Sequence, residues 1–503
     1  VAGSGRQFKD RKDMLKFAPF AIRQTARLWF IQKKERDMKE KLMRKLPLDH
    51  IMGSCEKNSG LKRSLGAFEL TMLGVGVIIG SGLFVITGVA AADRAGPGLI
   101  LSFILAGLAC ACAALCYAEL ASAIPVSGSS YTFAYVGLGE IFGWFIGWCI
   151  TLEYVVAMSA IAVGWSAYAV NILELMGIHL PEKLITDFSS GGIMNLPAII
   201  IISIMAMLQL WGTKESARLN NILVFVKLGV ILLFIILVAK HVDPSNYTPF
   251  LPYGWSGVFS GAAIVFFAYL GFDAIANSAE EVRDPQKNMP KGIIGSLVIA
   301  TTLYIIVTLM LTGVAKYSVY SGVAAPVAHA LNEVGIRWGS ALVSVGAIAG
   351  LTTGVLVLLG SESRLIYSMS RDGLLPRSFS KVSRRGVPNQ AVVCVWIIGV
   401  ILAGVLPIGT IAELCNIGTL WAFFFVSVTV IVLRKMHPEM PRAFKVPAVP
   451  AIPLISMALC IFLVIQLDTM TWIAFVLWTI AGMAIYFAYG VKHSKASEHI
   501  AKQ

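Results

Sequence analysis

Apolar residues recur along this chain in a series of long runs, each about 20 residues or more, separated by short polar stretches. A helix of that length matches the roughly 30 Å of hydrocarbon in a bilayer. Lipid offers a backbone no hydrogen bonds, so each run must satisfy its own N–H and C=O groups, which a helix does within one segment. Twelve spans can be drawn: 67–95, 98–124, 138–175, 195–212, 219–240, 256–281, 291–315, 338–371, 389–407, 410–434, 449–467 and 471–490. The third and eighth exceed a bare crossing and should tilt or protrude. The expectation is an all-α polytopic membrane protein.

Charge is distributed as that expectation requires. Of the net +13, residues 1–60 supply +8, from 15 Lys/Arg against 7 Asp/Glu, and the rest is spread over short loops. Such a pattern suits anionic lipid headgroups and excludes a nucleic-acid groove. Loop lysines and arginines are unequal between the two sides. One side carries 14, from Lys214 and Arg218 through Arg283, Arg371 and Arg434 to Lys445; the other carries Arg94, Lys183, Lys240, Lys316 and Arg337. The richer side is expected to be cytoplasmic, with both termini there, in a bacterial inner membrane.

The basic stretch 20–46 has Ile22, Trp29, Phe30, Leu42 and Leu46 as apolar anchors for a helix lying on the inner membrane surface. The competing reading is that translation begins near Met52 and the preceding segment is not native. No secretory signal precedes the first span. Seven of the eight cysteines lie in or beside apolar runs, so no disulfide framework is implied. Cys112 and Cys116 share a helix face without a nearby histidine, and no histidine falls mid-span. No metal site and no cofactor are expected.

Within the first span the stretch GVGVIIGSGLF, residues 74–84, carries Gly74, Gly76, Gly80 and Gly82. Glycine in a helix interior costs about 1 kcal/mol relative to alanine. The spacing is wrong for a nucleotide loop, and no strand precedes it. Two readings remain. Gly76 and Gly80 could form a small-xxx-small packing face. Alternatively, Gly80-Ser81-Gly82 unwinds the helix inside the membrane. A break would free the N–H groups of Ser81 and Gly82 for a carboxylate and the carbonyl of Ile78 for an ammonium group. An inverted repeat would need a second break five spans later, where Gly271 and Asp273 fall within the span.

Taken together, GVGVIIGSGLF, CYAEL (116–120), GFDAIANSAEEVRDPQKNMP (271–290) and SRDGLLP (370–376) resemble the amino acid–polyamine–organocation superfamily. Within it, residues 61–493 look like bacterial members of the cationic amino acid transporter family. The resemblance implies a 5+5 inverted-repeat architecture with helices 1 and 6 discontinuous. Residues 61–240 would form the first repeat, 241–435 the second and 436–490 two further helices, between a cytoplasmic extension (1–60) and tail (491–503). It implies a substrate carboxylate on the Ser81 and Gly82 amides. The amino group would meet the carbonyls of Ile78, Phe267, Ala268 and Leu270. Ser81 stands where relatives often have threonine, which keeps the hydroxyl.

Ionisable residues inside spans carry the remaining argument. By spacing alone, Lys227, about eight residues into the fifth span, either snorkels to the interface or is a buried lysine cycling its proton. In proton-coupled relatives a lysine at this position replaces a sodium ion, so the resemblance favours the second. Glu153 and Asp273 either lock helices together or, as relatives suggest, join a proton-coupling cluster with Lys227 and Ser81. Cys149 stands where many relatives carry aspartate. Glu119 and Glu281 near helix ends are gate ion pairs or solvated charges; Glu362 and Arg364 could pair.

The implied activity is secondary import of L-amino acids, with the proton as coupling ion. GVLVLLGSES (354–363) puts Leu358 and Leu359 at the pocket wall, favouring small or medium neutral side chains over cationic ones. An amino acid or polyamine exchanger of the same fold is the alternative. A channel would need a filter or charge rings, and an enzyme a motif such as HExxH or GxSxG; the chain has neither. Membrane lipid is the one partner implied beyond substrate and proton. A small membrane subunit is neither required nor excluded.

Overall fold

The computed structural model describes residues 42–45, 65–80, 82–125, 129–186, 188, 191–211, 216–276, 279, 282–323, 325–383, 387–405 and 408–495. Among these, helices account for nearly all ordered structure, with a single parallel bridge between Leu65 and Val282. Along the chain we label α1 (Ala67–Ile78), α2 (82–95), α3 (Leu99–Ala123), α4 (Ser129–Gly137) and α5 (Glu140–Leu175). Next come α6 (Leu196–Trp211), α7 (Ser216–Val238), α8 (Gly254–Val265), α9 (Phe272–Ala276), α10 (Pro285–Val314) and α11 (Pro326–Glu333). The last are α12 (Arg337–Arg371), α13 (Asn389–Val405), α14 (Ile408–Met436), α15 (Ala451–Ile465) and α16 (Thr469–Ile485).

Among the described residues seven helical stretches are long and apolar enough to cross a membrane, and five shorter apolar helices accompany them. Their ends fall close to those of the drawn spans. The two long runs become α5 and α12, of 36 and 35 residues. At 1.5 Å per residue each measures about 50 Å, well beyond the hydrocarbon. They pack along each other and form the centre of the bundle, with α14 and α7 against them. Apolarity does not distinguish inside from outside here, because lipid and core are equally apolar. Burial does: 89% of the most apolar window of α5 is buried, against 33% for 222–241 and 22% for 469–493.

Two short helices were not among the drawn spans. The α4 helix, SSYTFAYVG, is buried throughout between α5 and α14, and α11 packs on α12. Of the basic N-terminal stretch only 42–45 is described. There Leu42 packs on the core, and the carbonyl of Arg44 accepts the N–H of Glu140 at 2.8 Å.

Candidate substrate and proton site

The first apolar run does not cross as one helix. After Ile78 the chain turns extended at Ile79 (φ −76°, ψ 93°), Gly80 is non-helical, and helical structure resumes at Gly82. Ser81 lies outside the described residues. The Gly80 carbonyl takes the N–H groups of Leu83 and Phe84, both at 3.2 Å. A second interruption follows α8. The helix tightens into a 3₁₀ turn at Phe266–Tyr269, Leu270 is extended, and Gly271 has φ 108° before α9 begins. That φ is open to glycine and closed to most other residues.

The two interruptions lie against each other. A Cβ on Gly82 would sit 2.3 Å from the Cα of Ala268, and one on Gly271 would sit 2.3 Å from Cγ1 of Val77. Each broken helix thus supplies the glycine that lets the other approach. Between them is a small, narrow cavity. Ile78, Gly82, Phe267, Leu270, Leu358 and Glu153, all anticipated, line it, together with Val77, Tyr154, Ala157 and Ile161. Ala268 lies beneath Gly82 and is not part of the lining. Leu359 is fully buried but does not reach the cavity, since one residue along a helix turns a side chain by about 100°.

The carbonyls freed at the interruptions have partners. Lys227 of α7 is fully buried, and its Nζ donates to the carbonyls of Ile79 (2.8 Å) and Gly76. These belong to the last turn of α1, where carbonyls lose their intrahelical donors and a cation is favoured. Snorkelling is therefore not what this lysine does. The hydroxyl of Tyr304, on α10, lies 2.8 Å from the Ile78 carbonyl and 2.5 Å from that of Ala268. It meets two of the four carbonyls assigned above to a substrate amino group, and nothing in the sequence around Tyr304 distinguishes it from an ordinary core aromatic.

Glu153 and Asp273 come together, but not around the lysine. Asp273 Oδ2 accepts the Tyr154 hydroxyl at 2.7 Å, and each carboxyl lies in the other's field. Glu153 is buried with Oε1 unbonded, its backbone carbonyl accepts the Cys415 thiol, and Cys149 lies one turn away on its helix. Among the described residues Lys227 forms no ion pair with either acid: the lysine lies on carbonyls at the end of α1, while Glu153 lines the cavity and Asp273 lies behind the lining, bonded to Tyr154.

Glu119 is neither solvated nor exposed. Arg434 bonds it twice, at 2.9 and 2.5 Å, Arg442 lies at 3.3 Å, and the Val446 N–H donates at 2.7 Å. Glu281 lies outside the described residues. Glu362 and Arg364 do not pair: the acid is buried and the arginine exposed. At the opposite end of the bundle Arg94 bonds Glu413 (3.3 Å) and Asp468 (3.2 Å). Chemically, the centre combines two helix interruptions, end-of-helix carbonyls that accept from Lys227 and Tyr304, and a largely apolar wall.

Comparison with known proteins places the chain in a family. Residues 65–494 match the family model described as amino acid permease. The chain is 49% identical over 459 residues to the methylthioribose transporter of Bacillus subtilis, covering 90% of this chain and 98% of that protein. It is 46% identical over 470 residues to a branched-chain amino acid permease of the same organism, covering 92% and 100%. The chloroplastic cationic amino acid transporter 9 of Arabidopsis thaliana is 33% identical over 511 residues, covering 87% and 89%. The chain belongs to the amino acid permease family of the amino acid–polyamine–organocation superfamily. It is an integral membrane transporter and not an enzyme.

Proposed function

We propose that this member of the amino acid permease family imports neutral L-amino acids of small or medium size by proton symport. The observation that carries the reading is the small, largely apolar cavity between two helix interruptions, lined by Ile78 and Gly82 of one and by Phe267 and Leu270 of the other. The carboxylate takes the amides at Ser81 and Gly82, the ammonium the carbonyls of Ile78, Phe267, Ala268 and Leu270. An uncharged side chain lies against Ile161, Leu270 and Leu358. Lys227 is the coupling residue: protonated it holds the end of α1, and neutral it releases it. Glu153 and Asp273 set the charge of the cavity wall. The architecture is twelve spans in two inverted repeats plus two helices, in a cytoplasmic membrane with both termini inside.

A relative named as a branched-chain amino acid permease supports this substrate class. Methylthioribose, named for another relative, is a second reading. It lacks both charges of an amino acid, and Tyr304 already occupies two of the carbonyls an ammonium would use. Uptake of labelled leucine, alanine, arginine and methylthioribose into proteoliposomes under an inward proton gradient, a sodium gradient or none separates the readings. Leucine or alanine accumulation with protons alone supports the proposal. Uptake only of methylthioribose replaces the substrate, and uptake only against preloaded internal substrate replaces symport with exchange.

A further inference from the structure

Glu362 sits one turn along α12 from the cavity-lining Leu358, about 6 Å nearer the Arg371 end. It is fully buried, and neither carboxyl oxygen has a hydrogen-bond partner among the described residues. Among the described residues no cation is paired with it. From α5 it faces Thr151, whose hydroxyl lies beside it without completing a bond, and more distantly Glu153. From α13 it faces Cys394, and from α6 Gln209 lies against neighbouring Gly360. Lys227 of α7 packs at Gly350, three turns away toward the other end of α12. Arg364 turns outward.

An ionised carboxylate in that position would lose its hydration with no counter-charge among the described residues and only the Thr151 hydroxyl nearby, a far heavier penalty than burying the neutral acid. Glutamine would fill the same space with the same shape. What glutamate adds is a proton that can leave once water arrives.

We propose that Glu362 is a second proton-binding residue, placed one layer beyond the cavity on the Arg371 side. This rests on the reading of the chain as a proton-coupled transporter. The step is proton transfer alone: an O–H bond forms on a Glu362 oxygen as one breaks in a hydronium ion of the cavity, and it breaks to water when the Arg371 end hydrates. Glu153 lines the cavity two residues along α5 from Thr151. Glu362 thus lies beside the helix that carries the cavity's own acid.

Difference infrared spectroscopy of the full chain in lipid tests this, comparing the unaltered protein with Glu362→Gln, Glu362→Asp and Glu153→Gln at stepped pH, with and without leucine. The expected result is a carboxylic acid C=O band lost only in Glu362→Gln, retained but displaced in Glu362→Asp. It should fade as pH rises, with a midpoint that moves when leucine is added. A Glu362 band constant across pH and leucine would make the residue a permanently neutral core acid and overturn the proposal. So would the absence of any band assignable to it. Proton-independent uptake in proteoliposomes would instead overturn the coupled-transport reading, while the band titration still decides the behaviour of Glu362.

Discussion

Replacing Gly82 with alanine adds one methyl group where the two broken helices cross. The new Cβ would lie 2.3 Å from the Cα and 2.4 Å from the Cβ of Ala268. Ordinary contact needs roughly 3.4 Å or more, so the helices must separate by about 1 Å. Neither clashing atom can swing aside by a rotamer change. Overpacking of this kind costs about 1–3 kcal/mol, which a fold stable by about 5–15 kcal/mol survives. Binding suffers differently. An amide moved about 1 Å from a carboxylate loses a charge-assisted hydrogen bond worth about 1.5–3 kcal/mol. At 1.4 kcal/mol per tenfold, affinity should fall by about 10- to 150-fold. Gly80→Ala is the control, because a Cβ there meets nothing nearer than the Val77 carbonyl at 3.8 Å. Leucine binding by scintillation proximity on purified protein, with a melting curve for each variant, reads both effects. Equal affinity in Gly82→Ala and the unaltered protein would refute the reasoning, as would an equal loss in Gly80→Ala.

Three further outcomes follow from particular contacts. Leu358→Glu should admit arginine, measured as competition against leucine uptake, whereas Leu359→Glu should not, because only Leu358 reaches the cavity. Tyr304→Phe leaves the Ile78 and Ala268 carbonyls without their hydroxyl and should destabilise the solubilised protein by about 1–3 kcal/mol, read as a lower melting temperature. Arg434→Ala strips two bonds from the buried Glu119 carboxylate but leaves Arg442 and the Val446 amide, so a loss of about 1–3 kcal/mol is expected by thermal unfolding; an unshifted curve would contradict that burial cost.

The spans were legible because membrane solvent imposes one rule, long apolar helices, and their length follows from bilayer thickness. Even the unusual length of α5 and α12 is written in long, mostly apolar runs without proline. The glycines of GVGVIIGSGLF were legible as a place where a helix loosens or packs closely, and the structure shows both, a break at Ile79–Gly80 and close approaches at Gly74 and Gly82. Less of the polar organisation was readable. Lys227 was identifiable as an anomaly, but its partners are backbone carbonyls, which every residue carries and no sequence pattern marks. Its separation from Glu153 and Asp273 depends on which faces of α5, α7 and α9 meet, and uniformly apolar helices give no periodicity from which to read that. Tyr304 looks like any aromatic in an apolar run. The α4 helix was missed because it is too short for a span, and its burial comes from packing, chiefly against α5 and α14.

The central claim is that a proton accompanies an amino acid through the cavity by way of Lys227. Leucine-evoked proton influx tests it most directly, measured with a pH-sensitive dye inside proteoliposomes holding the unaltered protein or Lys227→Ala at matched internal and external pH. Lumen acidification on adding external leucine to the unaltered protein, absent in the variant, is the expected result. Leucine entry with no acidification, or equal acidification in both proteins, would contradict it.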